Sequence, residues 1–449
     1  MGNSTNPAAP SVDVIVVGGG LAGLTAAALV ARAGRKVVAL EGAAKMGGRA
    51  ATQVIEGAHF NLGGHALYCR GAAQQTLKDL GVPFSGHFPR PGKAELLAAG
   101  RSYRLPTGLG GLAVSGLLTL GEKYRLAKLL KGLARLDTRG LERLPVSTWI
   151  DETAGRGRLA QLLGALFRVS TYVADHDRLS AAAGLEQLKS ALVGNVWYVD
   201  GGWQSLVNGL RDAIEKHGGQ VRSGAAVRSL SCNSRITVQL SDGQLLDAKA
   251  VILAVDPKTA CDITGLAEDS PLVRWQRRRL VVRTACLDVA LDRLPRPAAR
   301  FALGLDQPTY FSVHSGAARL AEPGIEVIHV MKYLSVESTV PAKTVEAELE
   351  TVLERMQPGW KRHVVARRFL PSMVTCEALP TASDGGFSGR PGVELGDRPG
   401  VYLAGDWVGD QGHLADAAVA SACTAAERVL GSLDQPAARL AEKVTHARP

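Results

Sequence analysis

Residues 13–41 read DVIVVGGGLAGLTAAALVARAGRKVVALE. A short apolar run at 14–17 meets Gly18, Gly20 and Gly23. An alanine-rich helical pattern opened by Leu21 and Ala22 follows, and a second apolar run at 37–40 ends in Glu41. This is strand, glycine turn, helix, strand, acid, and each part has work to do in holding a dinucleotide. Gly18 permits the tight turn, Gly20 lets the backbone approach a pyrophosphate, and Gly23 lets helix and strand pack closely. The helix start offers free N–H groups and the positive end of its dipole to the phosphates. Glu41, at the tip of the second strand, is placed to accept the two ribose hydroxyls. A carboxylate there disfavours a 2′-phosphate, which argues against NADP. FAD and NAD both satisfy this stretch taken alone.

Three more segments narrow the choice. Met46-Gly47-Gly48-Arg49 follows the acid closely; its paired glycines let the backbone run flat against a ligand, and Arg49 offers a positive charge to a pyrophosphate. Phe60-Asn61-Leu62-Gly63-Gly64-His65 is a further glycine-rich turn, and Gly405-Asp406-Trp407 follows a short apolar run near the other end of the chain. In this order the segments resemble those of the phytoene desaturase and flavin amine oxidase superfamily, over about residues 12–430. The stretches 303–334 and 376–392 resemble the carotenoid desaturase side of it. Two departures stand out: Lys45 replaces the arginine usual before the glycine doublet, and Asn61 replaces the usual acid of an Asp-x-Gly-Gly pattern that passes beside the flavin ring.

The resemblance implies non-covalent FAD, held by Gly18, Gly20, Leu21, Ala22, Gly23, Glu41, Gly42, Gly48, Arg49, Gly63, Gly64, His65, Val227, Gly405, Asp406, Leu414 and Ala415. Asp406 would serve the phosphate and ribityl region, Val227 the adenine, and the start of the last helix the reduced ring. His65, His413 and Asp410 fall in the segments nearest the expected ring and are the expected acid–base or orienting groups. The implied reaction is dehydrogenation of a small or lipophilic organic substrate by hydride transfer to flavin N5, with oxygen or another acceptor restoring the flavin. The amine oxidase branch often sets a lysine beside N5. The run 280–291 holds Arg283 but no lysine. Imine formation by an amine oxidase is the first alternative. The second is a non-enzymatic prenyl-protein chaperone resembling the GDP-dissociation inhibitors, which has no use for Glu41, Arg49 and Asp406.

Residues 108–113, GLGGLA, also fit a GxGxxA pattern. They follow Leu-Pro-Thr rather than an apolar strand, and no acid-tipped strand comes after them, so a flexible loop before a helix is expected and no second nucleotide site. Nucleotide-type segments at both ends and in the middle predict an α/β fold. It has a discontinuous Rossmann-like FAD-binding domain of the glutathione-reductase type (12–100, 201–265 and 395–432) and an inserted α+β substrate domain (101–200 and 266–394). Helix is expected over 112–136 and 159–192. Residues 1–11 and 433–449 read as flexible termini.

With 46% hydrophobic and 21% charged residues among 449, the chain has a globular composition. The net charge of +10 is scattered, apart from a cluster at Arg274, Arg277, Arg278, Arg279 and Arg283. That cluster reads as a solvated face, with contact to anionic lipid or an acidic substrate as the alternative. No nucleic-acid motif is present. Six separated cysteines without a CxxC pair read as reduced thiols, and no histidine spacing suggests a metal site. Residues 1–10 lack an apolar signal core, so a cytoplasmic protein is expected. The basic stretch 112–136 admits a membrane-surface reading but fits better a helix capping the second domain.

Overall fold

The computed structural model describes residues 11–434, apart from 90–92, 99, 107, 114, 233 and 234; most of both termini expected to be flexible therefore lies outside the described residues. Strand β1 (Ser11–Val17), helix α1 (Leu21–Arg32) and strand β2 (Val37–Leu40) form the expected unit. β1 pairs in parallel with β2 on one side (Val14 opposite Val37) and with Leu245–Leu253 on the other (Val14 opposite Ala250). Gln220–Arg222 extends the sheet beyond β2. Val401–Leu403 joins the end of Leu245–Leu253, and Ile236–Leu240 and Val227–Cys232 close the far side as antiparallel strands. Val14, Ile15 and Val16 are wholly buried, as a parallel strand covered on both faces requires. Ten of the twelve α1 residues are buried between Gln204–Lys216 and Leu414–Leu433. Its alanines let three helices approach without voids, while Leu24 and Val30 each contribute about 1.5–3 kcal/mol of apolar burial.

A second sheet runs in the order Val364–Cys376, Val282–Leu291, Glu326–Leu334, Thr309–Val313, Phe301–Gly304, Glu95–Ala98, Arg101–Arg104. Its central strands alternate. Leu287, Val289, Ile328 and Val330 pack on the helix Ala342–Met356, which buries Val345, Leu349, Leu353 and Met356 along one stripe. Cys286, Met331 and Tyr333 face the helices Arg158–Thr171 and Ala181–Lys189 on the opposite side.

Several boundaries differ from the sequence reading, each for a local reason. Helix over 112–136 is broken: GLGGLA forms a short helix (Gly108–Ala113) rather than a loop, and Leu120–Gly132 starts afresh at a Thr119/Glu122 capping box. Helix over 159–192 stops at Tyr172, whose left-handed backbone (φ 63°) turns the chain, and resumes where Ser180 Oγ caps Ala181–Lys189. Val364–Cys376 continues as strand through Pro371. It tolerates Pro371 because it is an edge strand with a register shift opposite residues 284–286. Glu95–Ala98, grouped by sequence with the nucleotide unit, pairs with Phe301–Gly304 in the second sheet.

Candidate active site

A cavity of about 610 Å³ opens at the carboxyl ends of β1, β2 and the parallel strands beside them, where an open α/β sheet binds its ligands. Its wall near β1 is built for a ligand. Gly18 has φ 114°, and a Cβ there would overlap the Ala254 carbonyl; a Cβ on Gly23 would overlap the Gly18 carbonyl. These two glycines are required by the chain's own packing. Gly20 is different. Its backbone is extended (φ −82°), and the nearest atom to an added Cβ is Gly47 O at 3.9 Å, with Gly48 across the gap. The protein leaves that space open at the start of α1, and a pyrophosphate is the group that fits a cradle of backbone N–H donors. Glu41 stands at the next strand tip. Its Oε2 accepts from Gly19 N (2.7 Å) and its Oε1 from Ala43 N (2.8 Å), so the carboxylate fixes the turn and presents its remaining lone pairs to the cavity. Gly42 and Val227 complete this end. The donor set and the open gap fit FAD.

Arg49 and Asp406 meet across 357 residues. Nη1 and Nη2 donate to Oδ2 (2.7 Å) and Oδ1 (2.6 Å), a bidentate pair. Asp406 is buried, which works against its charge, yet Arg49 and the Glu377 N–H overcome this and hold its carboxyl down at about 2. Arg49 therefore has a protein partner already, which the sequence did not suggest.

Beyond them the wall turns apolar and aromatic: Leu62, Tyr68, Tyr172, Met373, Leu414 and Ala415, with Trp203 nearby. Tyr172 Oη donates to Gly64 O (2.5 Å), and burial pushes its phenol well above the ordinary range. Among the described residues lining the cavity there is no lysine.

The predicted residues divide. Gly18, Gly20, Leu21, Ala22, Glu41, Gly42, Gly48, Arg49, Gly64, His65, Val227, Gly405, Asp406, Leu414 and Ala415 line the cavity. Gly23 and Gly63 do not: Gly23 seats α1 on the turn, and Gly63 (φ 81°) backs onto Met373. Asn61 is buried and turned away; its Oδ1 accepts from Thr52 Oγ1 (2.7 Å) and Trp203 N (2.9 Å), tying a hairpin to the start of Gln204–Lys216. The three acid–base candidates fare worse. His413 is buried with Nε2 on Thr171 O (2.9 Å), outside the cavity wall, and Asp410 is exposed and outside it too. His65 lines the cavity with its ring nitrogens beside two carbonyls, Gly63 O (3.1 Å) and Arg49 O (3.0 Å), and the neutral ring donates to one of them. Burial, first of all, lowers both histidines to about 4.

Sequence reasoning missed Tyr68, Tyr172, Met373, Thr375 and Glu377. Glu377 lay inside a stretch already noted, whereas the orientation of Tyr172 follows from a left-handed backbone that no pattern signals. It also missed a buried polar group behind the 61–65 loop. There Asp288 accepts from His329 Nδ1 (2.6 Å), Cys286 Sγ (2.9 Å) and Arg368, which also donates to Asn61 O. Cys286, Asp288 and His329 place three metal-type ligand atoms within 4.8 Å of one another. Arg368 already neutralises Asp288, which makes this a charge-paired support for the loop.

A family model described as flavin containing amine oxidoreductase matches residues 21–281, more than half of the chain. A putative flavin-containing monoamine oxidase of Mycobacterium tuberculosis is 28% identical over 268 residues, 55% of this chain and 57% of that protein; the chain thus spans little more than half the length of this curated relative. An oxidoreductase from Methanosarcina mazei has a similar structure (TM-score 0.74, 18% identity, 92% of this chain and 100% of that one). Cyclohexylamine oxidase from Brevibacterium oxydans is also similar (TM-score 0.71, 18% identity, 95% and 100%). At such identities the structural likeness speaks for the fold alone, and it is the matched model, which begins just after the glycine turn and includes Glu41, that shows the chain belongs to the flavin containing amine oxidoreductase family.

Proposed function

We propose that the chain is an FAD-dependent oxidoreductase that dehydrogenates a small or lipophilic organic substrate. The observation that carries this is the open gap at Gly20 and Gly48, continuous with a cavity that is polar at Glu41 and apolar at Tyr172. In this reading the adenosine ribose lies against Glu41 and the pyrophosphate against the start of α1. The ring end lies between the 62–66 loop and Leu414–Ala415, where the first turn of Leu414–Leu433 directs its dipole at developing negative charge. Bound FAD supplies the hydride acceptor, N5. Leu62, Met373, Tyr68 and Leu414 exclude water from the reacting carbon, and Tyr172 holds the Gly64 carbonyl in place. His65 and His413 are each engaged with a backbone carbonyl, which argues against either as a dedicated base.

The purified protein should be yellow or take up added FAD, and substrates should bleach the bound flavin in the absence of oxygen. A colourless protein that takes up no FAD overturns the reading. The named relatives favour oxidation of an amine to an imine as the form of this reaction. Hydrogen peroxide and ammonia release across an amine panel would establish it; bleaching by non-amine substrates alone would reject it.

A further inference from the structure

Arg274, Arg277, Arg278 and Arg283 of the arginine cluster are exposed, as a solvated face requires, whereas Arg279 is half-buried. Arg278 and Arg279, at the end of the helix Pro271–Arg278, form one wall of a second cleft of about 220 Å³. Arg178 and Arg390 come from other parts of the chain to complete it, with Trp275 and Asp384 also in the wall. Four arginines and one acid, Asp384, thus line the cleft.

Their partners inside the protein are uneven. Arg178 pairs with Glu337, and Arg278 lies 3.9 Å from Asp384, whose Oδ2 accepts from Thr381 Oγ1. Arg279 donates Nη1 to Gln276 O (2.7 Å) and sits 3.6 Å from Glu377, leaving its buried Nε without a partner among the described residues. Arg390 is 8% exposed. It stacks over Phe387 (4.4 Å) and donates Nη1 to Gly412 O (3.0 Å), while Nε and Nη2 have no partner among the described residues. Nε and Nη2 are the two parallel donors of the side-on guanidinium edge, the arrangement that takes a carboxylate or phosphate bidentately. Burying that edge unsatisfied is costly, and native proteins rarely do so without a ligand to receive it.

We propose that this cleft is a binding site for a phosphate-type oxyanion, the free ion or the head of a phosphomonoester, held by Arg390 and Arg279 with Arg278 at the mouth. It is separate from the flavin cavity. Glu377, which lines that cavity, lies 3.6 Å from Arg279.

The test uses the FAD-loaded protein and inorganic phosphate, at ionic strength held constant with chloride, followed by calorimetry and by the fluorescence of Trp275. Saturable binding at or below about 10 mM is expected, weakened about tenfold or more in both Arg279→Gln and Arg390→Lys. Lysine keeps the charge of Arg390 but loses the paired donors. An unchanged flavin spectrum in each variant shows that the fold is intact. Should Arg390→Lys fail to fold, Arg279→Gln decides alone. Cosedimentation with phosphatidylcholine vesicles containing phosphatidic acid, absent with phosphatidylcholine alone and lost in Arg279→Gln, would identify a lipid head as the source; phosphate binding without cosedimentation would identify a soluble one. No saturable binding of phosphate, or equal binding in wild type and Arg279→Gln, overturns the proposal.

Discussion

Gly20→Ala separates room for a ligand from room for the chain. At Gly20 the backbone is extended, at φ −82° and ψ −177°, a region open to alanine. The added methyl meets nothing closer than Gly47 O at 3.9 Å. Folding gains about 0.4–1 kcal/mol from the stiffer unfolded chain. It loses about 0.5 kcal/mol because alanine is a poorer residue than glycine at the N-cap. The apoprotein should therefore melt within a degree or two of wild type. FAD binding should suffer heavily, because the methyl occupies the gap between Gly20 and Gly48. Removing one or two charge-assisted bonds from backbone N–H to phosphate costs about 2–4 kcal/mol, or about 30- to 1000-fold in Kd. Titration of apoprotein against the quenching of flavin fluorescence reads the affinity, and thermal melts read the fold. Gly23→Ala is the control with the opposite signature. Its methyl overlaps the Gly18 carbonyl, so it should destabilise the apoprotein by about 1–3 kcal/mol. A Gly20→Ala protein that retains FAD like wild type, or that melts as early as Gly23→Ala, would refute the assignment of the gap to the pyrophosphate.

Glu41→Ala removes both the ribose acceptor and the acceptor of two backbone N–H groups, and should weaken FAD by about 10- to 100-fold; unchanged flavin occupancy on gel filtration would show that the ribose lies elsewhere. His413 lies at about 4 against an ordinary 6.5, so the unfolded chain binds the extra proton between those values. Stability should fall as pH drops through that window, by about 1.4 kcal/mol per unit and about 3 kcal/mol in all. Urea melts of His413→Gln at pH 7, 5 and 4 should show a slope shallower by one proton, and equal slopes would contradict the burial of a neutral ring. Tyr172→Phe should cost about 1 kcal/mol of stability and raise KM more than it lowers kcat; a change confined to kcat would place its hydroxyl in the chemistry instead.

The glycine turn was legible because its requirements are local. Gly23 answers to the Gly18 carbonyl a few residues back, and Glu41 reaches back to Gly19 through one side chain, although Gly18 itself is fixed by the distant Ala254 carbonyl. Side-chain direction at the site was not legible. His413 and Leu414 are neighbours at a helix start, yet Leu414 lines the cavity while His413 turns to Thr171 O. Which of two adjacent residues points inward depends on where the helix begins, to a precision finer than sequence patterns provide. Pairing over long distances was equally hidden. Nothing near Glu95 signals a strand partner two hundred residues on, and nothing near Arg49 signals Asp406.

That last pair changes how the cofactor's charge must be carried. Glu41, Asp256, Glu377 and Asp406 line the cavity against Arg49, four carboxyl groups against one guanidinium. Each is already engaged within the protein. Glu41 holds the turn, Asp256 caps Pro257–Thr264 through Thr259 N (3.0 Å), and burial pushes the Glu377 carboxyl up, towards its neutral form. Asp406 takes both Nη groups of Arg49. A pyrophosphate entering this cavity meets a cation whose charge is already offset, so its own charge must rest on the N–H groups and dipole of α1. Such donors are fixed by the fold and have no counterion to shed. FAD affinity should consequently vary little with salt, in contrast to the arginine cleft, where an unpaired guanidinium would make anion binding fall as ionic strength rises.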